Sequence, residues 1–217
     1  MAKDLAIVLN NGSINSAVVT AMAAQRYRPI MIFADTAPGA AGRMRAAFDQ
    51  QVAHFKPYRE FSVPIAQAGS GPVQSGAAAA DPRQGPNISP QLLELLPLMS
   101  LAVKSAAHHQ AAAIYLGLRV GPTTDELAQG TEFCQIWNEL IQLPCGQKEL
   151  EVLTPLLELE LWQVVDIGYQ VSAPFDRTWS CMEETSEPCW ACRGCRSREA
   201  AFQQAGKPDP IRVARKL

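Results

Sequence analysis

The chain has 217 residues, 47% hydrophobic and 18% charged, enough for one full-sized domain with a small appendage, which excludes a mini-protein held mainly by disulfides. Nineteen Lys and Arg against twenty-one Asp and Glu leave a net charge of −2, so bulk electrostatics gives no reason to expect a nucleic-acid or membrane-surface binder. Six cysteines are too sparse for a disulfide framework, yet four of them crowd into residues 181–195.

The amino terminus shows no basic region leading into an apolar run and no cleavage-site pattern, and nowhere do about eighteen apolar residues run together. The expectation is a soluble cytoplasmic protein with reduced thiols. Leu5-Ala6-Ile7-Val8-Leu9 is a short apolar run closed by Asn10-Asn11-Gly12, the pattern of a buried parallel strand ending in a turn. Ser13 and Asn15 are potential caps for an Ala-rich helix over 17–25. Ile30-Met31-Ile32-Phe33 is a second buried strand, and Met44, Ala47, Phe48, Val52 and Phe55 then recur at helical spacing. A third strand near 61–65 leads into residues 66–90, of which seventeen are Ala, Gly, Pro or Ser, read as a flexible loop or lid.

Residues 91–109 read as a helix interrupted at Pro97, and Ala113-Ile114-Tyr115-Leu116 as a strand ending at Gly117. Leu127, Cys134, Trp137 and Ile141 form one stripe of a helix over 125–143, followed by a last strand near 150–153 and a helix over 157–167. This alternation predicts an α/β fold: a mostly parallel sheet with helices on both faces. The near-neutral total hides a partition of +4 over residues 1–120, −8 over 121–170 and +2 over 171–217. The acidic middle reads as a solvated helix face, which opposes phosphate binding by that segment.

Cys181, Cys189, Cys192 and Cys195 form C-x7-C-x2-C-x2-C, and thiolates at such spacings converge on one tetrahedral ion with sulfur distances of about 2.3 Å. A closed four-thiolate zinc site has no open position and is structural; an iron–sulfur cluster, a redox pair and unmetallated buried thiols are the alternatives. Gly194 is expected to free the turn between the last two ligands, and Arg193, Arg196 and Arg198 to sit near the thiolates and offset their charge. Cys134 and Cys145 read as small buried residues, and His54, His108 and His109 as groups at helix ends with no catalytic role. Asn11-Gly12-Ser13-Ile14-Asn15-Ser16 places amides and small polar groups at a helix amino end; that pattern suits an anion but also arises from turn and cap chemistry alone.

Thr154-Pro155-Leu156-Leu157-Glu158-Leu159, Val164-Val165, Gly168, Ala173-Pro174-Phe175, Thr178-Trp179-Ser180-Cys181, the remaining cysteines and Gly206-Lys207-Pro208-Asp209-Pro210 resemble, in order and spacing, the carboxy-terminal third of 7-cyano-7-deazaguanine synthases. The resemblance implies an adenine-nucleotide α-hydrolase-like domain over 1–175, with the insertion at 66–90, and a structural zinc module over 176–217. It also implies ATP and Mg2+ as cofactors of a ligase in queuosine-type deazaguanine biosynthesis, in which 7-carboxy-7-deazaguanine and ammonia yield the nitrile. The nucleotide-binding positions implied are Asn11, Gly12, Ser13, Asn15, Ser16 and Gly117, with no catalytic residue assigned.

Departures cluster on the nucleotide and substrate side. Against the family's S-G-G-x-D-S loop, Asn11 replaces Ser, Ser13 the second Gly and Asn15 the Asp; Ser13 adds a Cβ and Asn15 removes a carboxylate that helps organise magnesium. The F-D-Y-G-Q-R-H segment appears as Phe33-Ala34-Asp35-Thr36-Ala37-Pro38, the G-R-N has no counterpart near Ser89-Pro90-Gln91, and the Lys after T-P-L falls on Leu161. Two functions therefore stand side by side: the ATP-dependent nitrile synthase, and a non-catalytic homologue that keeps fold and zinc and serves as a binding or assembly partner. The partners expected are a small deazaguanine-type substrate and, as an option, a second copy of the chain, without direct nucleic acid or membrane.

Overall fold

The computed structural model describes residues 4–35, 41–64, 90–121, 123–142, 150–183 and 185–214. Five strands, β1 (Leu5–Leu9), β2 (Arg28–Asp35), β3 (Arg59–Pro64), β4 (Ala113–Leu116) and β5 (Glu151–Leu153), form one sheet in the order β3-β2-β1-β4-β5. Every pairing is parallel, with Ile7 opposite Ile30 on one side and Ile114 on the other. Between and after the strands lie α1 (Ile14–Arg26), α2 (Ala41–Phe55), α3 (Pro90–His109), α4 (Thr124–Leu140), α5 (Leu161–Gln170), α6 (Arg193–Gln204) and α7 (Pro210–Ala214). The expected α/β fold with helices on both faces is what forms.

Strand alternation sorts the core into layers. Ile7, Leu9, Ile30, Ile32, Ile114 and Leu116 point to one face, where Met99, Ala102 and Ala106 of α3 and Cys134 and Trp137 of α4 cover them. Ala6, Val8, Ala113 and Tyr115 point to the other, against Val18 and Val19 of α1, Val164 and Val165 of α5, and Ala201 and Phe202 of α6. Met31 and Phe33 pack on Phe48 of α2. Helix α6, which follows the cysteines, thus shares a core with the central strand.

Three elements depart from the sequence reading. The helix after β5 starts at Leu161, not 157, because residues 154–159 fold into turns closed by Leu157 N–H to Thr154 O and Leu159 N–H to Leu156 O. A capping box between Glu160 and Gln163 then opens α5. Pro97 does not interrupt α3: it lies on the exposed face beside Leu93 and Leu96, where the bond its missing N–H forfeits is nearest to water. The helix over Thr124–Leu140 stops three residues short of the expected end. The predicted loop at 66–89 and Cys145 lie outside the described residues. Among the described residues no helix is long and apolar enough to cross a membrane.

Candidate functional site

β1 lies at the centre of the sheet, and the chain leaves its carboxyl end toward β2 on one side while β4 pairs on the other. In an open parallel sheet such a switch point leaves a crevice beyond the strand ends. A cavity of about 370 Å³ occupies it, and Asn11 and Ser13 from the first loop, with Asn15 and Ser16 from the first turn of α1, meet Gly117 from the end of β4 there. Asn15 Nδ2 donates to Gly117 O at 3.2 Å, and a Cβ on Gly117 would come within 3.1 Å of the Asn15 backbone, so the two crossovers touch at this point. Gly12, singled out with them, does not line the cavity. It adopts φ +80°, and a Cβ there would lie 2.4 Å from Met44 O of α2; its role is close approach to that helix.

The loop is bonded largely to itself. Asn11 N–H donates to Ser16 Oγ (3.2 Å), Ser13 N–H to Asn11 Oδ1 (3.2 Å) and Ser16 N–H to Ser13 Oγ (3.3 Å), while Ser16 Oγ donates to Asn11 Oδ1 at 2.8 Å. Ser13 is the N-cap of α1, as its position predicts.

Asn10, read in the sequence only as part of the turn that closes β1, is the buried polar centre of the site. Its Oδ1 accepts from Gly12 N–H at 2.8 Å, and its Nδ2 donates to Gln51 Oε1 (2.8 Å) and Thr20 Oγ1 (3.0 Å). Gln51 in turn donates to Arg177 O at 3.0 Å, and Trp179 N–H donates to Gly12 O at 2.9 Å. The segment that introduces the cysteines is therefore fastened to the first loop. A polar Asn directly after an apolar strand was the available signal; its partner forty-one residues away was not.

The four cysteines converge: their sulfurs lie within 4.8 Å of one another, with Cys189–Cys195 at 4.0 Å and Cys181–Cys192 at 3.9 Å. Sulfurs about 2.3 Å from a shared tetrahedral centre stand roughly 3.8 Å apart, whereas a disulfide needs about 2.05 Å, so the set fits a metal ion and not a pair of bridges. Backbone N–H groups aim at the sulfurs: Met182 and Cys195 at Cys192, Cys189 at Cys181, and Cys192 at Cys189, over 3.3–3.5 Å. The Met182 and Cys195 amides hold the Cys192 thiol down to about 6, whereas burial pushes Cys195 up to about 12. At Cys181 burial is the largest single influence and works against ionisation, but the Cys189 and Glu183 amides and the Cys189 and Cys195 thiols together outweigh it, and the thiol is lowered. Thiolates this close repel one another, and a central cation reverses that balance for all four.

Two expectations about this region are corrected. Arg198 does not serve the thiolates. It is 2% exposed, chelates Asp209 through Nε (2.7 Å) and Nη2 (2.8 Å), and donates to Thr178 Oγ1 (2.7 Å) and Phe175 O (3.0 Å), because the helical period puts it on the buried stripe of α6 with Cys195 and Phe202. Arg193 and Arg196 are exposed. Gly194 is inside α6, not in a free turn; a Cβ there would fall 1.9 Å from Ser180 O, so the glycine admits the strand of backbone that carries Cys181. Cys134 is buried as expected, in contact with Thr154 Oγ1 at 3.4 Å, and burial raises its thiol.

The family model described as "Queuosine biosynthesis protein QueC" matches residues 95–206, more than half of the chain and all four cysteines. The 7-cyano-7-deazaguanine synthase of Koribacter versatilis is 32% identical over 120 residues, 55% of this chain and 51% of that protein. The enzyme of the same name from Chlorobium chlorochromatii is 34% identical over 119 residues, 52% of this chain and 50% of that protein. The chain matches these curated relatives over about half of their length. Among solved structures, the U34-tRNA thiolase NcsA from Methanococcus maripaludis superposes with a TM-score of 0.51 at 10% identity, covering 94% of this chain and 68% of that one, a likeness of fold. Residues 11–16 lie outside the stretch that the family model matches.

Proposed function

The chain belongs to the family of queuosine biosynthesis protein QueC, and on that footing we propose that it is an ATP-dependent C–N ligase of deazaguanine metabolism, converting 7-carboxy-7-deazaguanine and ammonia to the nitrile. The observation that carries the reading is the convergence of Asn11, Ser13, Asn15, Ser16 and Gly117 on one cavity at the carboxyl ends of β1 and β4. In this reading the phosphates of ATP, with their Mg2+, lie at the amino end of α1, where the helix dipole and the leading amides favour anions. The substrate carboxylate displaces pyrophosphate from ATP there, ammonia displaces AMP from the acyl adenylate to give the primary amide, and a second ATP activates the amide oxygen, which leaves as AMP with loss of two protons to give the nitrile. Cys181, Cys189, Cys192 and Cys195 hold a zinc ion whose closed shell supplies a structural tie and no chemistry.

Freshly purified protein is therefore expected to carry about one equivalent of zinc and no iron by elemental analysis. Less than about half an equivalent, or stoichiometric iron, would overturn the zinc assignment.

A second reading is favoured by one observation. The amides of Asn11, Gly12, Ser13 and Ser16 are already occupied by side chains of residues 10–16, and among the described residues no Lys or Arg lines the cavity. Both features favour a homologue that keeps fold and metal site as a binding or assembly partner and does not cleave ATP. Incubation with ATP, magnesium, ammonium and 7-carboxy-7-deazaguanine separates the two: release of AMP, pyrophosphate and nitrile supports the ligase, and binding of the deazaguanine without pyrophosphate supports the second reading. Ser13→Gly with Asn15→Asp is expected to strengthen ATP binding roughly tenfold, about 1.4 kcal/mol, by freeing an amide and restoring a carboxylate for magnesium. An unchanged affinity in a calorimetric titration would mean that the loop no longer faces a nucleotide.

A further inference from the structure

The polar groups of the switch-point cavity are unevenly placed. The first loop supplies neutral amides and hydroxyls on one side. The facing wall is the start of α3, which contributes Leu95, Leu98 and Glu94, and Leu9 and Leu116 at the strand ends add to the apolar lining. Among the described residues Glu94 is the cavity's one charged lining group. It is exposed and enters none of the ion pairs among the described residues.

A lone carboxylate at that wall repels phosphate and any carboxylate brought close to it. It matches instead a rigid edge that presents two N–H donors side by side, the arrangement a carboxylate's two oxygens accept most strongly. The amino-pyrimidinone edge of a guanine-type ring, with its ring N1–H and 2-amino group, is such an edge; a hypoxanthine-type ring lacks the second donor. A flat bicycle also suits a slot walled by leucines. The geometry points to Glu94 as the residue that selects a guanine-type ring, accepting from N1–H and the 2-amino group. The 7-carboxylate, at the opposite end of the bicycle, is then turned away from Glu94 toward the amino end of α1, where negative charge is favoured. This assignment rests on the reading that the cavity takes a deazaguanine, and it adds which residue recognises the ring and which way the ring faces.

Two neutral probes that differ only in the 2-amino group test it: 7-deazaguanine and 7-deazahypoxanthine, titrated calorimetrically into the full chain. The wild-type protein is expected to bind 7-deazaguanine at least about tenfold more tightly, since a site built to accept a donor discriminates against the analogue without it. Glu94→Ala is expected to weaken 7-deazaguanine about 10- to 100-fold and 7-deazahypoxanthine less than about threefold, erasing the preference. Glu94→Gln, which turns one acceptor into a donor, is expected to lose most of the preference as well. Glu94 is exposed on a helix, so an unchanged thermal midpoint of both variants accompanies these shifts. Equal binding of the two probes by the wild type, no binding of either, or a preference that survives in Glu94→Ala overturns the assignment. If any of these occurs while 7-carboxy-7-deazaguanine still triggers pyrophosphate release, the ligase reading stands without Glu94; loss of both base binding and pyrophosphate release removes the two together.

Discussion

Serine in place of Cys195 is expected to abolish stoichiometric metal binding and to open residues 181–193 to proteolysis, while the sheet and α6 stay folded. Among the described residues of that stretch only Cys181 is buried, and none belongs to a helix or strand before Arg193. The segment therefore has almost no apolar area to hold it, and the four sulfurs with the amides aimed at them are its fastening. Structural zinc in small domains contributes on the order of 10–16 kcal/mol of apparent binding energy, which becomes folding energy for whatever the ion organises. A serine hydroxyl does not ionise near neutral pH, so the closed shell is lost with a single substitution. By contrast α6 is anchored independently, by Ala201 and Phe202 in the core beneath the sheet and by the Arg198 charge pair. Metal analysis combined with limited proteolysis and mass readout checks this; a full equivalent of metal in the variant, or a protected 181–193 stretch, would refute it.

How much of this was legible follows from where each residue's partners sit. Leu5–Leu9 reads as a buried strand because every position is apolar, and a central parallel strand is covered on both faces, so local composition suffices. The cysteine cluster is legible for a similar reason: its ligands are close in sequence and the chemistry fixes their distance. Arg198 was misread by the same proximity. It follows the run of cysteines in the sequence, but its three-residue spacing from Cys195 and its place beside Ala201 and Phe202 on the helix set it on a buried stripe, where a charge implies a buried partner. That partner, Asp209, lies eleven residues on, past the end of the helix, and no local pattern announces it. The hydrogen-bonded chain from Gly12 through Asn10 and Gln51 to Arg177 is invisible for the same reason, since it joins three distant segments. The start of α5 was misplaced because its capping box uses Glu160 where Ser or Thr is the recognisable signal.

Alanine in place of Asp209 is expected to destabilise the fold by about 3–5 kcal/mol, the range for breaking a buried ion pair from one side. For a chain of this size each kcal/mol shifts the melting temperature by roughly 2–4 °C, so a drop of about 6–20 °C follows. The magnitude rests on what is left behind. Arg198 is 2% exposed; without Asp209 its guanidinium keeps Thr178 Oγ1, Phe175 O and the Phe202 ring, all neutral. Asp209 also accepts from Ile211 N–H at 3.1 Å, so the entry to α7 loosens as well. Replacing both partners with apolar residues, Arg198→Met with Asp209→Leu, leaves no buried charge and is expected to recover more than half of the loss. A midpoint for Asp209→Ala within about 2 °C of wild type by calorimetry, or a double variant less stable than the single one, would sink the argument. The consequence reaches the cavity, because Thr178 is held by Arg198 and its neighbour Trp179 donates to Gly12 O, the turn from which Asn11 and Ser13 enter the site. Ligand binding at the first loop is therefore expected to weaken in the double variant, where Arg198 no longer holds Thr178, even as its stability recovers, tying the guanidinium beneath the cysteines to the site at the head of the sheet.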